Sequence, residues 1–138
     1  MCRKNESDMP VLENIHDPKS LSPRALAFVG DCVYSLLVRE RLVIGKSCPA
    51  GALHVQSVKM VNAAAQAEAI YHVIDLLDSE ERQVFKRGRN ARVSATPKWV
   101  SEADYHAATG LEALFGWLYL SGKNQRIREL FDVICQRN

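Results

Sequence analysis

The sequence predicts an all-α domain. Three observations carry that reading. Apolar residues recur at helical spacing over long stretches, helix start and stop residues bracket those stretches, and no run alternates apolar and polar residues as a half-buried strand would. The 138 residues, 47% hydrophobic and 25% charged, suit one domain that can bury a core without disulfide staples.

Residues 1–20 read as a polar lead-in with partial order near Val11 and Ile15, ahead of a domain over residues 21–138. Ser22-Pro23 starts the first long helix. Serine caps orphan amides, and proline fits the first turn, where its missing N–H is not needed. Gly45, after Ile44, is a natural stop. Pro49 opens a second helix through HVQSVKMVNAAAQAEAIYHVIDLL, with Val55, Val58, Val61, Ala65, Ile70 and Ile74 at helical spacing. Ser79-Glu80-Glu81 begins a third, shorter helix whose acids suit the positive end of the dipole, and it ends near Gly88. RNARVSATPKWV is a loop by its Ser, Thr and Pro content. Ser101-Glu102-Ala103-Asp104 resembles a capping box with Asp in place of Glu, and opens a helix to about Leu120 that Gly122 ends. An amphipathic helix from Gln125 to Gln136 follows.

Composition excludes several classes. The formal net charge is +2, which argues neither for a disordered acidic chain nor, alone, for nucleic-acid binding; the distribution of charge must decide. Cys2, Cys32, Cys48 and Cys135 form no CxxC pair and read as reduced thiols, with Cys32 a small hydrophobe inside its helix. No His/Cys cluster has zinc-ligand spacing, and His54, His72 and His106 read as surface or satisfied core. No secretory-type apolar run follows the start, and no stretch approaches the roughly 20 apolar residues of a spanning helix, so a soluble cytoplasmic protein is expected. GxSxG, P-loop and GxGxxG motifs are absent.

Two apolar helical stretches each carry a single acid. LAFVGDCVYSLLV, from Leu26 to Val38, is apolar on nearly all sides and contains only Asp31; AATGLEALFGWLYLSG, from Ala107 to Gly122, contains only Glu112. A helix apolar all round is usually buried, and a buried carboxylate needs a partner or must neutralise. The residues one turn away are small: Ala27 and Ser35 around Asp31, and Ala108, Thr109 and Gly116 around Glu112. They are expected to leave a hollow that suits a hydrated hard cation such as Mg²⁺, which takes only one or two carboxylates. The competing reading pairs each acid with an Arg or Lys for structural reasons.

From Gln83 to Ser101 there is no acid. Lys86, Arg87, Arg89, Arg92 and Lys98 could track phosphates, with Asn90 and nearby hydroxyls adding neutral contacts. A solvated basic loop is the plainer alternative.

These residues carry a resemblance. Phe28-Val29-Gly30-Asp31 is similar to the signature helix of the ribonuclease III family, whose Asp binds metal. Thr109 to Gly116, TGLEALFG, resembles its second acidic motif. FKRGRNA at 85–91 followed by Thr96-Pro97-Lys98 is similar to the short mini-ribonuclease III branch, which lacks a double-stranded RNA-binding domain. Two departures stand out. The acid expected four residues before Asp31 is Ala27, and the one expected three before Glu112 is Thr109, which implies a sparser metal site with water or Thr109 in those positions. The resemblance implies the helical ribonuclease III endonuclease fold as a homodimer, with the stretch from Phe28 to Tyr34 as a candidate contact. It also implies a Mg²⁺-dependent endoribonuclease with Asp31 and Glu112 as catalytic metal ligands, acting on double-stranded RNA and leaving 5′-phosphate and 3′-hydroxyl ends. Precursor 23S ribosomal RNA and a ribosomal protein are the partners it implies. A catalytically silent RNA-binding or ribosome-associated protein of the same fold is the alternative that the missing acids keep open.

Overall fold

The computed structural model describes residues 17–45, 48–92 and 95–136, and every regular element among them is helical. The expectation at Val11 and Ile15, and Cys2 with it, lies outside the described residues. No described helix is long and apolar enough to cross a membrane.

A 3₁₀ turn, Pro18–Ser20, leads into α1, Pro23–Gly45. As predicted, Ser22 caps it, its Oγ accepting from the Ala25 amide at 3.1 Å. The expected single second helix is two. A 3₁₀ turn over Ala50–Ala52 leads into α2, Leu53–Val61, and α3 is Ala63–Val73. Asn62 between them is extended, with ψ 164°. Its Oδ1 accepts from the Ala65 amide at 2.9 Å, while its Nδ2 donates back to the Val58 carbonyl at 3.2 Å. One side chain therefore closes α2 and opens α3, overriding a helical periodicity that continues past the break.

After a further 3₁₀ turn, Ile74–Leu76, α4 spans Ser79–Arg89. It begins at Ser79 as expected, and Asp78 caps it in a complete capping box with Glu81. Gly88 lies within α4 and is buried, so it packs the helix rather than ending it. α5, Glu102–Leu120, starts at Ser101 as predicted, with Ser101 Oγ accepting from the Asp104 amide at 3.0 Å. Gly122 adopts φ 75°, the left-handed turn that a glycine stop permits, and α6 follows over Asn124–Gln136.

α5 is the central element. Ala107, Ala108, Gly110, Leu111 and every residue from Ala113 to Leu118 are buried, and α1, α3, α4 and α6 pack around it. Leu26, Tyr34 and Val38 of α1, Ile70 of α3, Phe85 of α4 and Leu130 of α6 complete the core. Tyr34 sits edge-on to both Phe115 and Phe131, with ring centroids 5.3 and 5.5 Å away. A buried ion pair ties α4 to α6: Glu81, 1% exposed, accepts from Arg126 Nε at 2.8 Å, and Arg126 Nη2 also donates to the Leu76 carbonyl at 2.7 Å.

α1 departs from expectation. Its stretch from Leu26 to Val38 is apolar nearly all round, yet the helix buries only Leu26, Ala27, Gly30, Tyr34, Leu37 and Val38. Phe28 is 78% and Leu36 68% exposed, and Cys32, expected inside the helix, is exposed beside them. α1 lies on the outside of the bundle, so one flank packs and the other faces solvent.

Candidate active site

The acids meet where α1 and α5 cross in backbone contact. A Cβ placed on Gly30 would stand 1.6 Å from the Glu112 carbonyl oxygen, and one on Gly116 would stand 1.9 Å from the Leu26 carbonyl oxygen. Only glycine at both positions lets the two backbones touch. The crossing sets Asp31, next to Gly30, beside Glu112, four residues before Gly116. Gly116 was expected to help leave a hollow; it closes the helices together instead. Thr109 Oγ1 donates to the Tyr105 carbonyl at 2.9 Å, which leaves its oxygen lone pairs uncommitted.

Asp31 and Glu112 are in unequal settings. Asp31 is exposed, against the expectation of a buried acid, because it lies on the solvent side of α1. Glu112 is half-buried, and its carboxyl is pushed up to about 8. Burial is the main cause, Asp31's charge is the second, and a hydrogen bond from the protonated form to Asp31 is the third; the neighbouring Gln66 amide works in the opposite direction. Without a cation, Glu112 therefore keeps its proton at neutral pH. No Arg or Lys pairs with either acid among the described ion pairs, which disfavours the structural reading.

The donor set fits a hard cation. Two carboxylate groups converge from two helices, one open to water and the other raised by burial and, second, by the charge of the first, which a divalent cation would offset. No group of three or more His, Cys, Asp or Glu converges among the described residues.

Sequence reasoning missed Gln66. It is 2% exposed, in the first turns of α3, and its Nε2 has no hydrogen-bond partner. The signal was available: Gln66 shares a helical face with Ile70 and Val73, a lone amide among apolar residues. Reading the stretch from Pro49 through Leu77 as one helix hid it, because the Asn62 break resets which side faces the core.

The basic residues divide. Gly88 seats α4 on α5, a Cβ there coming within 2.7 Å of Ala113 Cβ and 3.2 Å of the Thr109 carbonyl oxygen. The basic end of α4 thus crosses α5 within one turn of Glu112. Lys86, Asn90, Arg92 and Lys98 are exposed. Arg87, exposed as well, is engaged: its Nη1 donates to the Lys19 carbonyl at 2.9 Å and its Nη2 to that of Leu21 at 3.3 Å. Arg89 is half-buried, with its guanidinium over the Phe85 ring, 5.5 Å from the centroid, and its Nε 3.3 Å from Asn90 Oδ1. Trp99, 88% exposed, stands beside Lys98.

Known proteins bear on this geometry. The family model described as the ribonuclease III domain matches residues 24–123, which contain both acids and the basic segment. A mini-ribonuclease 3 from Thermoanaerobacter sp. (strain X514) is 46% identical over 117 residues, 85% of this chain and 82% of the relative. Another, from Symbiobacterium thermophilum, is 40% identical over 114 residues, 83% of this chain and 88% of the relative. Among solved structures, a crystal structure of a Fusobacterium nucleatum protein superposes with a TM-score of 0.74 at 28% identity, covering 83% of this chain and 92% of the other. With a glycine crossing that joins the two acids of its motifs and relatives matched over most of its length, this chain belongs to the ribonuclease III family, among the mini-ribonucleases 3.

Proposed function

We propose that the protein is a Mg²⁺-dependent endoribonuclease that cleaves double-stranded RNA, leaving 5′-phosphate and 3′-hydroxyl ends. Its physiological substrate in this reading is the 23S ribosomal RNA precursor, processed in the cytoplasm with a ribosomal protein as partner. The observation that carries the reading is the contact between Asp31 and Glu112 at the glycine crossing, with Glu112 held uncharged by burial and by Asp31.

The two acids divide the work by their settings. Asp31, open to solvent, is accessible to a hydrated ion and to RNA. Glu112 loses its proton on ligation and supplies the second charge, so ion binding and proton release are coupled. The metal, when bound, supplies an activated water and stabilises charge on the phosphate and the leaving oxygen. Lys86, Arg92 and Lys98 offer cations to phosphates, and Asn90 offers a neutral donor. Arg87 holds the segment before α1 against α4, and Arg89 stiffens the end of α4 on Phe85; both shape this surface more than they extend from it.

A homodimer belongs to the same reading. Phe28, Cys32 and Leu36, with Val29, Val33 and Tyr119, line an apolar hollow on a flank of α1 that does not include Asp31. A two-fold contact there would cover that face and set two catalytic pairs along one duplex, which a chain without a separate RNA-binding domain needs.

The test is incubation of wild type and Asp31→Asn with a long double-stranded RNA, in Mg²⁺ and in EDTA. Cleavage by wild type in Mg²⁺ alone, lost in the variant, is the expected result. RNA that is bound but left intact by both proteins would favour the silent RNA-binding alternative.

A further inference from the structure

Gln66 belongs to none of the family motifs quoted above. It is 2% exposed, so its amide is as sheltered as the core leucines around it. A buried amide nitrogen normally has an acceptor, and the Nε2 of Gln66 has none. The side chain instead stands beside the Glu112 carboxyl, the one titratable group of the site that is drawn inward. Its place is set by backbone chemistry: the Asn62 cap starts α3, and α3 packs along α5, which brings the first turns of α3 to the level of Glu112.

We propose that Gln66 is a positioning residue for the metal site: its Nε2 donates to the ionised Glu112 carboxylate, fixing one oxygen so that the other points toward Asp31 and the cation. This rests on the reading of Asp31 and Glu112 as the metal pair. The geometry explains both oddities together. A carboxylate is a strong acceptor, and this one stands directly beside a buried, unused donor. Outer partners of this kind hold metal-binding carboxylates in their ligating orientation, and their loss weakens metal binding about 10- to 100-fold.

The test replaces the amide by an unbranched apolar chain of similar length, Gln66→Met. Mn²⁺ affinity is measured by electron paramagnetic resonance on the RNA-free protein, alongside the Mg²⁺ dependence of cleavage. The expected result is metal binding weakened at least about tenfold. The Mg²⁺ concentration for half-maximal cleavage should rise in parallel, with KM for RNA unchanged at saturating metal. A role in packing alone would lower Tm and leave the metal affinity as in wild type, which would overturn the proposal. A wild type that neither binds Mn²⁺ nor cleaves RNA would instead overturn the functional reading itself. Should Gln66→Met fail to fold, glutamine side-chain amide resonances of the wild-type protein decide. Gln66 Nε2 protons that shift and slow their exchange with water on Mg²⁺ addition support the proposal. Protons unmoved by Mg²⁺ that shifts the Glu112 carboxyl would overturn it.

Discussion

Glu112 is the residue on which pH acts. Its carboxyl, ordinarily near 4.5, is raised to about 8 in the folded chain. The folded state therefore holds a proton that the unfolded chain gives up earlier. The stability this contributes is complete below pH 4.5 and is lost as pH rises toward about 8. Metal-free protein should melt at lower temperature across that window, and Glu112→Gln, neutral throughout, should flatten the fall; a calorimetric pH series reads both. Asp31→Asn removes the second-largest cause and should lower the Glu112 midpoint in a ¹³C carboxyl titration. Glu112→Gln should also abolish cleavage while the fold persists, since the glutamine keeps the shape of a side chain that has no basic partner among the described ion pairs. The basic residues separate at this scale too. Arg87→Ala gives up two hydrogen bonds to backbone carbonyls and should lower Tm, whereas Lys86→Ala and Arg92→Ala should leave Tm alone and each reduce the salt slope of RNA binding by about one.

Among the elements, the crossing of α1 and α5 is the least tolerant feature. Gly30→Ala would drive a methyl into the Glu112 carbonyl, and backbone cannot swing aside as a side-chain tip can. Overpacking of this kind costs about 3 kcal/mol or more and would also separate Asp31 from Glu112. Thermal unfolding should show the loss, and metal affinity should fall beyond what the change in stability explains. The tie between α4 and α6 fails differently. Arg126→Ala would strand Glu81, almost wholly buried, without its cation, at a cost of about 3 kcal/mol, while the acid pair stays in place. Denaturant melts should register that loss with no change in the metal dependence of cleavage.

For the whole molecule, the exposed face of α1 sets the expectation. Phe28 and Leu36, 78% and 68% exposed, belong to the apolar hollow proposed above as the dimer contact. Leu36→Glu should convert a dimer to a monomer in sedimentation experiments without lowering the far-ultraviolet helix signal. Because both active sites of a dimer would lie along one duplex, the same variant should lose cleavage of long double-stranded RNA more than it loses Mn²⁺ binding.

The helical class, the caps at Ser22 and Ser101, the stop at Gly122 and the two lone acids were all legible in the sequence, because each depends on residue type and local spacing. What needed the tertiary structure is whatever depends on which faces meet. Asn62 could be counted as a helix residue until its side chain was seen to cap α3, and that break is what aims Gln66 at Glu112. Gly116 read as a small neighbour and Gly88 only as a place near a helix end, yet each is where two backbones come together. Asp31 was expected to be buried because its helix is apolar all round; periodicity records how apolar each face is, but not which face this chain covers by itself. The identities of the two acids are written locally, while the contact that makes them a pair comes from two helices about eighty residues apart in sequence, brought together by glycines that allow van der Waals contact between backbones.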